Sequence, residues 1–307
     1  PLGVLVGVCG VSGSGKSTLI NDTLARILAP FKQTTSVAYE PIQPEPYDSI
    51  EGTPAQTIVI DQTRAGLHNP ASFLGVESAL RKVFADCEMA HSLGMDEKSI
   101  RRNCSACSGR GVQRIEMGFL PDIFETCEVC GGSGYPAEVN LIRYWSHTLP
   151  EIMAMSIEQV NQIFIDEEKV SRPLSRAMQV GLGYLTLNQP ARTLSGGEAQ
   201  RLKIAHELVR KRTKETLYIL DEPTVGQHLE DVHRLIDVLQ GLVEVGGSVL
   251  VVEHHPYVLA ACDWLIELGP GGGPDGGAII ATGKPVEIAK MDTPTAPYLW
   301  DILEISK

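Results

Sequence analysis

The chain of 307 residues predicts an α/β fold with a mostly parallel sheet, interrupted by a long inserted segment. Three observations carry that reading. Short apolar runs alternate with segments of helical period, a glycine-rich loop joins the first run to the first helical segment, and the cysteines concentrate in one interruption of the pattern. With 43% hydrophobic and 21% charged residues the chain can bury a core. That balance excludes a disordered or collagen-like chain, and 7 Cys in 307 residues are too few for a disulfide scaffold. Apolar runs such as Leu2 to Cys9 fall well short of the roughly 20 residues that a membrane helix needs, so no membrane partner is expected. A start at Pro1 without a charged-then-apolar leader suggests a cytoplasmic protein and a piece of a longer chain.

The elements follow in order. Leu2 to Val8 reads as a buried strand, and Ser17 to Leu28 as a helix with Leu19, Ile20, Thr23, Leu24 and Ile27 at helical spacing. The prolines between Ala38 and Pro54 forbid a regular helix and predict a surface excursion. Thr57 to Asp61 resumes as a strand and Gly75 to Met89 as a helix. Ser156 and Gln159 have capping-box spacing at the start of a helix to Phe164, and Pro173 to Val180 predicts a further short helix. Glu198 to Arg212 reads as an amphipathic helix, Leu217 to Asp221 as a buried strand, Leu229 to Val243 as a helix and Ser248 to Glu253 as a strand.

Gly10 to Ser17 (GVSGSGKS) fits the pattern G-x-x-x-x-G-K-S between a strand and a helix. Its glycines let consecutive amides turn inward around phosphates, the helix N-terminus adds its positive end, Lys16 can reach the outer phosphates, and the Ser17 hydroxyl can ligate magnesium. The strand Leu217 to Asp221 delivers Asp221 and Glu222 at its carboxyl end, one suited to hold a magnesium shell and the other to polarise water. Leu194 to Gln200 (LSGGEAQ) places a serine and two glycines before a helix, a second amide nest. Cys104 and Cys107 form one C-x-x-C, and Cys127 and Cys130 another, 19 residues apart, which is the spacing of a tetrahedral zinc site. Both knuckles continue to glycines (CSACSGRG and CEVCGGSG), which permit the tight turn that aims amides at sulfur. Cys9, Cys87 and Cys262 have no partner at ligand spacing and are expected in the core.

The order P-loop, VIDQ, LSGGEAQ, LYILDEP and VVEHH resembles an ABC-type ATPase, and a four-Cys insertion between the glutamine and the LSGGE motif resembles the UvrA family, in particular its carboxyl-terminal ATPase half. The resemblance runs through YDSIEG, EMGFLPDIFETC, TLSGGEAQRLKIA, TLYILDEPT and DWLIELGPGGG. It implies an ABC-type core in parts 1–68 and 217–307, around a helical signature domain at 69–216 with the zinc module at about 101–140. It further implies that Gly10, Ser12, Gly13, Ser14, Gly15, Lys16, Ser17 and Thr18 hold ATP and magnesium, that Asp221 holds the metal, and that Glu222 is the general base. Gln62 and His254 would sense the γ-phosphate, while Ser195, Gly196, Gly197 and Glu198 would close over the ATP of a second ABC module, from a homodimer or a first half. The implied activity is ATP hydrolysis, without nuclease activity, in a module that binds duplex DNA for damage recognition in nucleotide excision repair, upstream of a UvrB-type protein. Two other readings stay open: a UvrA-like paralogue in resistance to DNA-intercalating antibiotics, and a non-hydrolysing zinc-binding module that pairs with a full-length partner.

Charge bears on the DNA reading. The net charge is -12, and from Arg101 to Arg143 five arginines face five carboxylates, so the zinc region has no excess cation for phosphate. The densest basic run is Arg201, Lys203, Arg210, Lys211, Arg212 and Lys214, either a solvated helix face or a DNA-backbone contact.

Overall fold

The computed structural model describes residues 1–29, 43–64, 67–117, 123–210 and 215–305. Eight strands are present among them: β1 (Leu5–Gly10), β2 (Gln56–Ile60), β3 (Val112–Ile115), β4 (Ile123–Thr126), β5 (Thr216–Asp221), β6 (Ser248–Val252), β7 (Trp264–Gly269) and β8 (Ala278–Gly283). Six form one sheet in the order β2-β5-β6-β1-β7-β8. All neighbours are parallel except β7 and β8, which pair antiparallel at one edge. The centre of the sheet is buried, with every residue of β1 enclosed, as a parallel sheet covered on both faces requires.

The chain divides into two compact units, one of residues 1–67, 179–182 and 194–307, the other of 68–178 and 183–193. The expected inserted segment, 69–216, therefore differs from the second unit at its end, because the helix Gly196–Val209 clusters with the sheet. The physical reason lies in Gln200, fully buried, whose side-chain amide donates to the backbone oxygens of Ile60 at 3.2 Å and Asp221 at 3.0 Å. One side chain thus pins this helix to the ends of β2 and β5. Removing it in Gln200→Ala orphans two carbonyls, and we expect a loss of about 2 kcal/mol in denaturant unfolding.

That helix is not amphipathic as the sequence predicts. Gln200 and Arg201 are buried beside Ala199, Leu202, Ile204 and Ala205, so polar groups enter the core with partners of their own. Two other helices differ. Glu168–Gln179 starts before Pro173 and carries it inside, since Val170, Leu174 and Ala177 bury one continuous face despite the missing amide. The helix predicted from 75 to 89 breaks into Val76–Ala85 and Glu88–Ser92, with Asp86 and Cys87 between them. The segment after the P-loop is helical, but its first part, Thr18–Leu24, has π geometry before Ala25–Leu28 turns α-helical. Of the proline-rich excursion, 38–42 lies outside the described residues and 43–54 forms no regular element.

In the second unit, Ser156 and Gln159 form the reciprocal capping box that their spacing predicts. Buried Phe84, Ile152, Met153, Val160, Phe164 and Leu174 supply its core. Cys9 and Cys262 lie buried in the first unit, whereas Cys87 is only half-buried, at a helix start. Burial lifts the Cys9 thiol to about 12, with the nearby Glu267 carboxylate acting in the same direction, so it is an inert core group.

Candidate nucleotide site and thiolate cluster

Strand β1 ends in the glycine loop. Gly10, Gly13 and Gly15 have φ of 132°, 77° and 94°, values that side chains other than glycine's rarely permit. At Gly10 the reason is also steric, because a Cβ there would stand 2.0 Å from the Leu268 oxygen on β7. The loop closes with the Ser14 amide donating to Val11 O at 3.2 Å, and Lys16 Nζ donates to Gly10 O and Val11 O, both at 2.9 Å. Lys16 is buried, and desolvation lowers its pKa against the opposing pull of Glu222, Cys9 and Asp221. Ser17 and Thr18 are exposed at the start of the following helix, and the fully buried Ser14 hydroxyl has no partner.

A second glycine loop braces the first from outside. Gly273 N–H donates to Gly13 O at 3.1 Å and Gly277 N–H to Ser14 O at 3.0 Å. A Cβ on Gly272 would meet Ser12 O at 2.6 Å, so this position is glycine because backbone packs on backbone, while Gly273 has open space and a left-handed φ of 65°. Sequence reading assigns this run no role; its signal is the density of glycine just after a strand that pairs with the P-loop strand.

The carboxyl ends of β5 and β6 deliver the acids and the histidine. Asp221 Oδ2 accepts from Asn21 Nδ2 at 2.7 Å, a contact between the π-helical turn and the acidic strand end. Glu222 adopts φ 43°, a left-handed conformation costly for a residue with a side chain, and its amide donates to Val252 O at 2.9 Å. His254 Nε2 lies 3.3 Å from Glu222 Oε1, with both side chains about half exposed. Lys16, Asp221, Glu222 and His254 are therefore brought together. Gln62 is exposed, and its Oε1 would lie 2.8 Å from a Cβ on Gly196.

Ser195 and Glu198 form a capping box, in which Ser195 Oγ accepts from Glu198 N at 3.1 Å and Glu198 Oε2 accepts from Ser195 N at 2.6 Å. Gly196 and Gly197 follow as the first helical residues, where backbone amides have no partner within the helix. Further along, each of the described residues of the basic run, Arg201, Lys203 and Arg210, faces a carboxylate. Arg201 is buried with Asp231 at 4.0 Å, and Lys203 donates to Asp61 Oδ1 at 2.7 Å. Arg210, half exposed, faces Glu207 at 3.8 Å, while Lys211, Arg212 and Lys214 lie outside the described residues. The DNA-backbone reading of this run is thereby corrected for Arg201 and Lys203, whose charges serve the fold.

The second unit holds the four cysteines. Their sulfur atoms all lie within 4.8 Å of one another and all four residues are buried. Cys104 and Cys127 Sγ are 3.9 Å apart, and Cys107 and Cys130 Sγ 3.7 Å. A tetrahedral zinc with Zn–S of about 2.3 Å has an S–S edge of about 3.8 Å, so the thiols fit that ion. Gly111 N–H donates to Cys107 Sγ and Gly134 N–H to Cys130 Sγ, each at 3.2 Å. The knuckles interlock through glycine: a Cβ on Gly111 would reach Gly132 O at 2.3 Å, and one on Gly134 would reach Gly109 O at 2.4 Å. Although desolvation opposes it, the Gly134 amide and the neighbouring thiols bring Cys130 down to about 7.

Comparison with known proteins agrees with this geometry. The ABC transporter family model matches residues 1–225. UvrABC system protein A of Staphylococcus aureus (strain COL) is 42% identical over all of this chain and 33% of its own length, and that of Neisseria meningitidis is 43% identical over 99% of this chain. The chain thus spans about a third of the length of these curated relatives. The crystal structure of UvrA2 from Deinococcus radiodurans superposes with a TM-score of 0.82 and 38% identity, covering 99% of this chain and 38% of that one. Because the matched region takes in the P-loop, the capped signature helix and the acidic strand end together, the chain belongs to the ABC transporter family.

Proposed function

We propose that the chain is an ATP-binding and ATP-hydrolysing module of UvrA type that acts on duplex DNA in damage recognition for nucleotide excision repair. The observation that carries the reading is the meeting of Lys16, Asp221, Glu222 and His254 at the carboxyl ends of β1, β5 and β6, where ligands bind in open parallel sheets. The residues fit ATP and magnesium. The loop amides, the partnerless buried Ser14 hydroxyl and Lys16 supply phosphate donors, and the exposed Ser17 hydroxyl and the Asp221 carboxylate supply hard oxygen ligands. Magnesium, when bound, neutralises phosphate charge.

In this reading Lys16 exchanges the carbonyls of Gly10 and Val11 for phosphate oxygens, and Asn21 keeps Asp221 turned toward the metal. Glu222 takes a proton from the attacking water as the new oxygen–phosphorus bond forms and the bond to the leaving ADP oxygen breaks. His254, beside Glu222, holds the γ-phosphate side of the site, and Gln62 senses the phosphate after moving away from Gly196. Gly196 and Gly197 present amides without a helical partner, and Ser195 its hydroxyl, to the ATP of a second module, so that each complete site needs two ABC modules. Glu198 acts by capping rather than by touching nucleotide. The thiolate cluster holds one zinc, and a UvrB-type repair protein acts downstream.

The test is ATP turnover with and without duplex DNA, alongside binding of lesion-bearing and intact duplex across a salt series. We expect DNA to change turnover and the lesion duplex to bind more tightly. Equal affinity for the two duplexes removes the damage-recognition claim and leaves an ATPase of another role.

A further inference from the structure

Between the acidic strand end and the histidine stands a carboxylate to which no role has yet been given. Glu253 is 2% exposed, yet its two oxygens are fully used. Oε1 accepts from the Thr224 backbone amide at 2.9 Å and from the Thr224 hydroxyl at 2.5 Å. Oε2 accepts from the amides of His254 at 2.8 Å and His255 at 3.0 Å. Its own amide donates to Val8 O at 3.0 Å, on the strand that leads into the P-loop. One buried side chain therefore ties the loop after β5, which carries Glu222 and Thr224, to the loop after β6, which carries His254, and stands on β1.

We infer that Glu253 is a positioning residue that yokes the Glu222 and His254 loops and sets the spacing of that pair, an inference that rests on the hydrolytic reading of these two residues. The contact between the pair cannot set its own spacing: at 3.3 Å between side chains 47% and 43% exposed, it is an interaction worth little in water. Glu222 is further held in a left-handed conformation, which persists only where surrounding bonds over-determine it. Four donors converging on a buried carboxylate supply that constraint, since hydrogen bonds to an ionised acceptor are the stronger kind. The charge is needed as much as the shape. A glutamine has one acceptor oxygen, and its NH2 would face two donors on one side of the yoke or the other.

The test is Glu253→Gln in the full chain, with two readouts. ATP turnover should fall by at least about tenfold in kcat while ATP affinity stays within about twofold, because the phosphate loop is untouched. The ring resonances of His254 in NMR, which need no turnover, should move in Glu253→Gln toward the positions they take in Glu222→Gln. A His254→Ala/Glu253→Gln double variant should lose less than the product of the two single losses, since Glu253 acts on that pair. If Glu253→Gln does not fold, Thr224→Val removes a single donor and carries the same readouts with a smaller shift in the same direction. Unmoved His254 resonances, or losses that multiply in the double variant, overturn the inference. Absence of turnover in the unaltered chain when it is paired with a second ABC module overturns the hydrolytic reading instead, and the NMR result then decides the yoke alone.

Discussion

Glu222→Gln should retain ATP binding and lose turnover by about 10²- to 10⁴-fold, the contribution of a positioned general base. The substitution keeps the size of the side chain, its left-handed backbone at φ 43° and the amide bond to Val252 O, so the loop is not expected to move. It removes the acceptor for the water proton and replaces the carboxylate beside His254 with an amide. Lys16→Ala is the complementary variant. Lys16 is the buried cation of the loop, and its loss should abolish nucleotide binding rather than the step that follows. Single-turnover and equilibrium-binding measurements separate the two. Turnover of Glu222→Gln at the unaltered rate would reassign the base, and unchanged ATP affinity in Lys16→Ala would mean that the phosphate site lies elsewhere.

Removal of metal from the four-Cys cluster is expected to unfold the module around it while the nucleotide core stays folded. Apart from the sulfurs, little apolar material is available there. All described positions of β3 and β4 are exposed, and a two-stranded hairpin is marginal in water by itself. The buried cluster at this place consists of Cys104, Cys107, Cys127 and Cys130 alone. Structural zinc contributes on the order of 10–16 kcal/mol of apparent binding free energy in small zinc domains, so its loss should outweigh the two amide–sulfur bonds that remain. Metal analysis of protein prepared without chelator should find about one zinc per chain. With chelator, or in Cys127→Ser, proteolysis should open the segment 102–135. Binding requires thiolates, and the cluster holds one thiol raised to about 11 (Cys127) and one lowered to about 7 (Cys130), so apparent zinc affinity should fall with decreasing pH across that whole range and more steeply below about 7. A metal-free protein with the segment still protected would show that the thiols hold the module unaided.

Much of the site was legible because it is local. A glycine loop between a strand and a helix, an acidic pair ending an apolar run, and a serine–glycine cap each act through residues adjacent in sequence, where backbone geometry leaves few alternatives. The zinc-type spacing is local in the same sense, since each knuckle closes its own amide–sulfur bond within four residues. Long-range partners were not legible. Arg201 and Lys203 looked like a cationic face until the fold placed Asp231 and Asp61 against them. Pro173 looked like a helix start, but burial of the face from Val170 to Ala177 outweighs one missing amide.

The sequence by itself determined the fold class, the order of the motifs and the groups that each one brings: a glycine loop with Lys16 at Gly10 to Thr18, acids at Asp221 and Glu222, cysteines in two knuckles. Only the tertiary structure decided which groups meet. It put Asn21 on Asp221, His254 on Glu222, the Gly271–Gly277 loop behind the phosphate loop, and Glu253 on Thr224, 29 residues away in the chain. The reason is physical. A strand or a tight turn is specified by neighbours in sequence, whereas a buried carboxylate acquires its meaning from donors that only the packing of the sheet brings within reach.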